Sequence, residues 1–261
     1  MTHPRITRAL VRQPASTLAQ GLTTQSRLGL PDQKATLKQH TTYCEALRSC
    51  GLDVTILPPD NRFPDGHFVE DAAVVFRDLA FICRSGAPAR EPEGREIAEF
   101  LKHLHVKGIQ GETGRLDGGD VLFCADRVLI GLSERTNMEG AEQLASSLRD
   151  VQDGLRVDFV QFRGMLHLKS GLSEIVPGVL LLAPALQMEQ DLDFAEILIL
   201  APEDTYAANL VRINETLLIA AGFPRVSEIA GRYFMADDIL DLNMTEFRKM
   251  DGGLSCLSLR Y

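Results

Sequence analysis

Short apolar runs in this chain come in pairs split by one or two turn-forming residues, and stretches with a helical period lie between the pairs. Residues 72–77 and 79–83 flank Asp78, and residues 121–124 and 127–131 flank Ala125-Asp126. Residues 172–176 and 179–183 flank Pro177-Gly178, and 210–213 and 216–220 flank Asn214-Glu215. Each pair predicts a β-hairpin. A fifth run, 257–260, has no partner after it, and a strand at 6–11 can supply one. The helical period predicts a helix at 34–49 with Leu37, Thr41, Cys44 and Leu47 on its inner face and Gly51 past its end. It predicts another at 93–104 (Ile97, Leu101 and Leu104 inward) and a third at 139–149 (Leu144, Ala145 and Leu148 inward). Shorter helices are expected at 225–231 and 245–249, and a buried strand at 53–57, closed by Pro58-Pro59.

The residues heading the hairpins are Asp71, Asp120, Gly171 and Asn209, with Cys256 heading the unpartnered run. They recur at separations of 49, 51, 38 and 47 residues. Units of this length suggest a radial array of ββαβ modules, an α/β propeller, whose equivalent strand ends converge at one end of a central axis. Residues 65–71, 117–120, 167 and 256 would then meet. An ordinary mixed α/β fold with four hairpins is the alternative. The segment 13–31 carries Gly21, Gly29, Thr23, Thr24 and Gln25. It is long for a connection, which fits a lid or a plain surface excursion.

Composition narrows the classes. At 261 residues, 45% hydrophobic and 24% charged, with no linker, the chain is expected to be a single domain, 1–261. The net charge of −9 and the lack of a basic run argue against nucleic acid or an anionic membrane, and suit a cationic ligand. Residues 1–5 have no apolar signal core and no stretch of about 18 apolar residues occurs, so a cytoplasmic protein is expected. Five widely spaced cysteines, an odd number, fit neither a disulfide framework nor a zinc knuckle.

The candidate chemistry is concentrated near the hairpin starts. Cys256 follows Asp251-Gly252-Gly253 and is flanked by Ser255 and Ser258, whereas the other four cysteines sit in apolar patterns. A reactive thiolate needs a neighbouring cation or imidazole. His167, just before the third hairpin, would complete a thiol–imidazole pair, although a lone histidine among apolar residues is also a common core residue. Asp117-Gly118-Gly119-Asp120 is either a turn or two carboxylates able to close on a small cation. Asp65, Glu70 and Asp71 precede the first hairpin, where acidic groups entering a buried strand need internal arginines or a cationic substrate. Arg84, Arg90 and Arg135 follow second strands and are either ordinary surface charges or able to hold a carboxylate by paired hydrogen bonds. A thiol, an imidazole, carboxylates and arginines together suit a molecule with a cationic end and a carboxylate end, as in arginine.

Several stretches, in order, make the pattern specific. They are Phe63-Pro64-Asp65 through Phe68-Val69-Glu70-Asp71, Leu116-Asp117-Gly118-Gly119-Asp120 and Gly131-Leu132-Ser133-Glu134-Arg135-Thr136-Asn137. They continue with Leu166-His167-Leu168-Lys169, Tyr206-Ala207-Ala208-Asn209 and Arg248 through Cys256. Over essentially its whole length the chain resembles the dimethylarginine dimethylaminohydrolase family of the guanidine-modifying superfamily. The resemblance implies a five-bladed α/β propeller that hydrolyses Nω-methylated arginine to citrulline and a methylated amine, with no metal or organic cofactor. It implies Cys256 as nucleophile, His167 as general acid/base and Asp117 as the carboxylate supporting it. Asp65 and Asp71, with Glu70 beside them, would bind the guanidinium. Arg90 and Arg135 would hold the α-carboxylate, and the main-chain carbonyls of Leu22 and Met250 the α-amine, Leu22 lying on a lid. Several bacterial members resemble this chain closely but carry Glu where Asp117 stands. An arginine deiminase or a citrulline hydrolase using the same residues is the runner-up, and a non-catalytic propeller binding protein the remote alternative. Small-molecule substrate is the expected partner; a homodimer is left open.

Overall fold

The computed structural model describes residues 5–261; the polar segment 1–4, part of the signal-peptide argument above, lies outside the described residues. The strands form five small mixed sheets. In each, two antiparallel strands are followed by a third that runs parallel to the second. This is the five-module α/β propeller architecture expected from the repeat. The chain divides into two compact units, Glu70–Ala208 and a second made of Arg5–Val69 with Asn209–Tyr261.

The first unit holds three sheets. Ala73–Phe76 and Leu79–Ile82 pair antiparallel, and His105–Gly108 joins parallel to Leu79–Ile82 after the helix Glu93–Leu101. Val121–Phe123 and Val128–Leu132 repeat the plan, with Val157–Arg163 added after the helix Met138–Val151. Leu172–Val176 and Val179–Leu182 form the third hairpin, to which Glu196–Ile199 adds parallel. Here the intervening helix is missing. The connection instead lays Gln187–Met188 antiparallel on Val157–Arg163, and its Pro184 and acidic Asp191 and Asp193 suit an irregular path.

The second unit holds two sheets. Arg8–Arg12 lies between Leu259–Arg260, antiparallel, and Asp53–Leu57, parallel. The carboxy-terminal run therefore finds its partner at the amino-terminal strand, which the hairpin pattern offered as a candidate. Val211–Ile213, Thr216–Ala220 and Ile239–Leu242 form the other sheet.

The physical logic is the same in each module. The second strand of each hairpin is hydrogen-bonded on both edges and almost wholly buried, which accounts for its uninterrupted apolar sequence. The third strand is mostly more exposed and is the sheet edge except in the second module, where Gln187–Met188 covers Val157–Arg163. That placement corrects one expectation: 53–57 is a strand with the expected bounds, but only Leu57 of it is buried. Turn chemistry also matches: Arg77, Asn214 and Gly178 turn their hairpins at φ 56°, 52° and 81°.

Helices follow their apolar stripes. Ala141, Leu144, Ala145 and Leu148 of Met138–Val151 pack on Leu79, Phe81, Val128 and Ile130, at roughly 1.5–3 kcal/mol per fully buried large aliphatic side chain. The helix Gln33–Ser49, capped by Asp32 accepting from Ala35 N at 2.7 Å, is phased differently from the expectation. Thr36, Gln39, His40, Tyr43, Cys44 and Leu47 face inward, while Thr41 is exposed and Leu37 half-buried. The polar members of that face have specific partners in the same unit: Gln39 bonds Asn243 and Thr245, and Tyr43 Oη bonds Leu254 O and Ser258. A hydropathy stripe ranks such residues as outward-facing. The second helix ends at Leu101, three residues early, leaving Leu104 half-buried.

Within the second unit the Asn214 side chain reaches Ile6, accepting from its N at 3.0 Å and donating to its O at 2.9 Å. This splints the two sheets of that unit from a left-handed turn residue. Asn214→Ala should lose both bonds and strain the turn, lowering unfolding free energy by about 2 kcal/mol in urea titration. Asn214→Gly, which relieves only the strain, should recover part of it.

Candidate active site

In the first unit, the sequence between hairpins folds into short turns that present polar side chains inward. Glu70 and Asp71 lie on a 3-10 turn, Val69–Ala72, that leads into the first hairpin. Asp117 precedes the equivalent turn Gly118–Asp120, and His167 the equivalent Leu168–Gly171. The repeat thus delivers Asp71, Asp117 and His167 to one cluster, and all three are buried.

His167 Nε2 is 3.1 Å from Asp117 Oδ2, and Nδ1 is 3.9 Å from Asp71 Oδ1. Burial pulls the imidazole toward its neutral form. The Asp71 charge, the bond to Asp117 and the charge of Asp120 outweigh it and hold the pKa up at about 9. Burial likewise works against the Asp117 carboxylate, but the His167 bond and charge and the Arg90 charge keep it below its ordinary range. The pair is an imidazolium–carboxylate ion pair at neutral pH. Asp117 also accepts from Gly86 N at 3.1 Å, and its own N donates to Thr136 Oγ1 at 3.1 Å.

The glycines of Asp117-Gly118-Gly119-Asp120 are required by packing. A Cβ on Gly119 would stand 2.7 Å from both Asp71 Oδ1 and His167 Nδ1, and one on Gly118 would stand 2.0 Å from Glu70 O. Gly119 N donates to Asp71 Oδ1 at 3.1 Å. The cation-closing alternative for Asp117 with Asp120 is not what forms. Asp120 instead accepts from Ser133 Oγ, Thr136 Oγ1 and Leu168 N. Asp71, Asp117 and His167 do bring one ligand atom each within 4.8 Å of one another. A metal there would have to displace the imidazole proton that the surrounding carboxylates hold, whereas an organic cation need not.

Arg90 is buried and engaged: Nη1 donates to Asp71 Oδ2 at 2.6 Å, and Nη2 to Glu93 Oε2 at 2.9 Å. Glu93 was not among the residues expected at the site. Its signal, a carboxylate three residues after an arginine at a helix start, also fits an ordinary helix pair. Arg135 is half-buried, with Nη1 3.8 Å from Asp117 Oδ2. Arg84 is 3.8 Å from the exposed Glu91, so it lies in a surface pair. Glu70 is buried against Lys169 Nζ at 2.7 Å.

The second unit holds Cys256, Asp65, Leu22 and Met250. Cys256 is half-buried on the 3-10 turn Ser255–Leu257, and Gly253 N donates to its Sγ at 3.4 Å. Asn209 fixes that turn, donating to Ser255 Oγ at 2.9 Å and accepting from Ser255 N at 3.0 Å. Arg260 Nη1 donates to Ser255 O and Ser258 O, both at 3.0 Å. Neither Asn209 nor Arg260 was singled out for this from the sequence, although Asn209 heads the fourth module as Cys256 heads the fifth. The other thiols are poor nucleophiles: burial pushes Cys44 up to about 11 and raises Cys50, Cys83 and Cys124 as well.

The segment 13–31 carries two short 3-10 turns and is tied down. Leu22 N donates to Asp65 Oδ2 at 3.0 Å, and a Cβ on Gly21 would stand 2.2 Å from Asp65 Oδ1. Thr23 Oγ1 donates to Lys249 O at 2.8 Å, and Thr24 Oγ1 to Asp251 Oδ1 at 2.8 Å. These bonds bracket Met250, which is buried beside Asp251, a left-handed residue at φ 59°.

A family model described as arginine deiminase matches residues 81–218. The chain is 38% identical to the N(G),N(G)-dimethylarginine dimethylaminohydrolase of Pseudomonas aeruginosa, over 97% of this chain and 98% of that one. It is 35% identical to the enzyme of the same name from Streptomyces coelicolor, over 97% and 96%. The fold matches a Pseudomonas aeruginosa structure, a cysteine-to-serine mutant in complex with citrulline, at a TM-score of 0.90 and 37% identity, covering 99% of this chain and 100% of that one.

The raised His167 pKa makes stability depend on pH. Because the folded value, about 9, lies above the ordinary 6.5, the imidazolium stabilises the fold fully below about pH 6.5 and ceases to as pH rises through about 9. Denaturant titrations at pH 6 and pH 9.5 should show wild type losing up to roughly 3 kcal/mol more than His167→Asn.

Proposed function

The chain belongs to the dimethylarginine dimethylaminohydrolase family, and from that premise we propose that it hydrolyses Nω-methylated arginines to citrulline and a methylated amine. The observation that carries the reading is the buried His167 set between Asp71 and Asp117. Together with Glu93 and Asp120, these carboxylates carry one more charge than His167, Arg90 and Arg135 neutralise, which is an environment for a guanidinium.

The guanidinium carbon is a poor electrophile because the positive charge is delocalised over three nitrogens. It needs a strong nucleophile, and we assign that role to the Cys256 thiolate. Sγ bonds to the carbon, and the bond to the methylated nitrogen breaks as His167 passes that nitrogen its proton. The leaving amine departs neutral, and an S-alkylthiouronium remains on Cys256. Water then adds to the same carbon as its proton goes to the now neutral imidazole. As the C–S bond breaks, the remaining hydroxyl proton passes to solvent, where the amine released in the first step takes one up; the thiolate returns and citrulline leaves. His167 is suited to the first step because it starts protonated. A substrate cation drawn to Asp71 and Asp117 competes for the charge that holds that proton, so binding itself lowers the imidazole pKa toward transfer.

The remaining roles follow the family pattern. Asp65 and Asp71 bind guanidinium nitrogens with Glu70 alongside, Arg90 and Arg135 hold the α-carboxylate, and the carbonyls of Leu22 and Met250 receive the α-amine. Arg135 is the more available arm, because Arg90 already spans Asp71 and Glu93. The residues 1–261 act as one catalytic domain with a small-molecule substrate. The described residues include no helix long and apolar enough to cross a membrane, and a catalytic thiolate favours the reducing cytoplasm. Neither a metal nor an organic cofactor enters these steps. The arginine deiminase reading is weaker, since the relatives matched over 97% of the chain are named dimethylarginine dimethylaminohydrolase.

Mass spectrometry of products from asymmetric dimethylarginine, monomethylarginine, arginine and citrulline tests the assignment. Citrulline plus dimethylamine from the first, abolished by Cys256→Ser, is expected. Ammonia from arginine or ornithine from citrulline would move the activity to a sister reaction. His167→Ala should cost at least ~10²-fold in kcat. Arg135→Ala should raise KM roughly tenfold or more, with a smaller effect on kcat, and an unchanged KM would remove it from the carboxylate-binding role.

A further inference from the structure

Asp120 is fully buried and touches none of the groups assigned to substrate, yet both of its oxygens are engaged. Its Oδ1 accepts from Leu168 N at 2.9 Å, the amide next to His167. Its Oδ2 accepts from Ser133 Oγ at 2.7 Å and Thr136 Oγ1 at 2.6 Å. Each hydroxyl has a second task. Ser133 Oγ accepts from Arg135 N at 2.9 Å and Thr136 N at 3.2 Å, fixing the turn that carries Arg135. Thr136 Oγ1 accepts from Asp117 N at 3.1 Å, fixing the residue that pairs with His167. One carboxylate therefore joins three segments, those bearing His167, Asp117 and Arg135.

We propose that Asp120 is the positioning residue of this site, locking the acid–base pair His167–Asp117 and the carboxylate-binding Arg135 into one rigid frame through Leu168, Thr136 and Ser133. The proposal rests on the reading of His167 and Arg135 given above. Three features support it beyond the hydrogen bonds. First, all three donors demand an acceptor, and only an ionised carboxylate offers acceptors on both oxygens. Burial raises the Asp120 pKa, and the His167 charge and the Ser133, Thr136 and Leu168 bonds oppose that rise. Second, its negative charge also acts on His167, together with Asp71 and Asp117. Third, the space is closed: a Cβ on Gly131 would stand 3.2 Å from Asp120 Oδ1 and 2.9 Å from Leu168 Cβ, so the strand behind can approach only as glycine. Asp120 never reaches the reacting atoms in this scheme; it acts by where it holds other groups and by the charge it keeps near them.

Asp120→Asn is nearly isosteric but exchanges one acceptor for a donor. It must face either the Leu168 amide or the two hydroxyls with an N–H of its own. The expected result is a folded protein whose kcat falls about tenfold or more, part of what positioned acid–base help supplies. In the substrate-free enzyme, NMR titration of the His167 ring should show its pKa moved down from wild type, and the pH profile of kcat should move with it. A merely structural role would cost stability but leave both titrations in place, and a folded Asp120→Asn with wild-type kcat and His167 titration overturns the proposal. If Asp120→Asn does not fold, Thr136→Val decides. A drop in kcat of about tenfold, restored by Thr136→Ser, supports the frame, and unchanged kcat refutes it. The ring titration needs no substrate. A wild type that turns over no methylated arginine, with the His167 shift still seen in Asp120→Asn, would thus fault the reaction assigned and not the role of Asp120 in holding His167.

Discussion

Burying several carboxylates in one place is the constraint on which the first unit depends. Asp71, Asp117 and Asp120 are each at most 4% exposed. A buried, ionised carboxylate is costly unless cations and donors replace the lost water. Arg90 is shared with Glu93, so it neutralises Asp71 only in part. Backbone amides of Gly86, Gly119 and Leu168 and the hydroxyls of Ser133 and Thr136 supply the rest. The imidazole of His167 is drawn into this deficit and kept protonated by it. The charge state of the proposed acid is therefore a property of the cluster rather than of the histidine. The same deficit gives a cationic substrate a reason to enter a region that water has left.

Much of the architecture was legible in the residues because the modules use local codes. Four hairpins appear close to their expected bounds, since turn residues such as Asn214 and Gly178 adopt left-handed conformations that few other residues tolerate. The pairing of the last strand with the first followed from a count of unpartnered runs. What failed to show is what burial decides against residue type. The inner face of Gln33–Ser49 is half polar, and Gln39 and Tyr43 are inside because particular acceptors wait for them in the same unit. The edge strand Asp53–Leu57 is apolar in sequence yet largely exposed, and period alone cannot distinguish an edge from an interior strand.

The candidate site divides along the same line. Asp71, Asp117 and His167 could be proposed from module spacing and family resemblance, and the first unit brings these three together. The residues that hold them in place were not visible. Glu93 reads as a helix-surface acid, and Ser133 and Thr136 as unremarkable hydroxyls beside an arginine. Asp120 was noted as one half of a candidate cation site, and its real partners are two hydroxyls and an amide separated from it by 13 to 48 positions. Local sequence carries the identity of reactive groups, because chemistry restricts the residue types. It carries little about their supports, because many polar residues can make a hydrogen bond and only the fold selects which one does.

Asp117 shows how closely the supports fit the length of one side chain. Glu at this position would reach one methylene further toward the imidazole. With Asp, the carboxylate is placed by backbone packed closely around it, at Gly118 and Gly86. Gly118 brings the chain against Glu70 O, where a Cβ would stand at 2.0 Å, and Gly86 lies against the Arg135 backbone, where a Cβ would stand 2.4 Å from its Cα. The Gly86 amide then bonds Asp117 Oδ1, and Thr136 holds the Asp117 amide. With those contacts in place the shorter side chain still meets His167 at 3.1 Å. Lengthening it would push either the imidazole or the Gly86 turn outward, so the choice of Asp is bound to the closeness of three backbone segments. The proton-handling geometry is then set by main-chain packing, and a carboxylate of the right length is the last piece fitted to it.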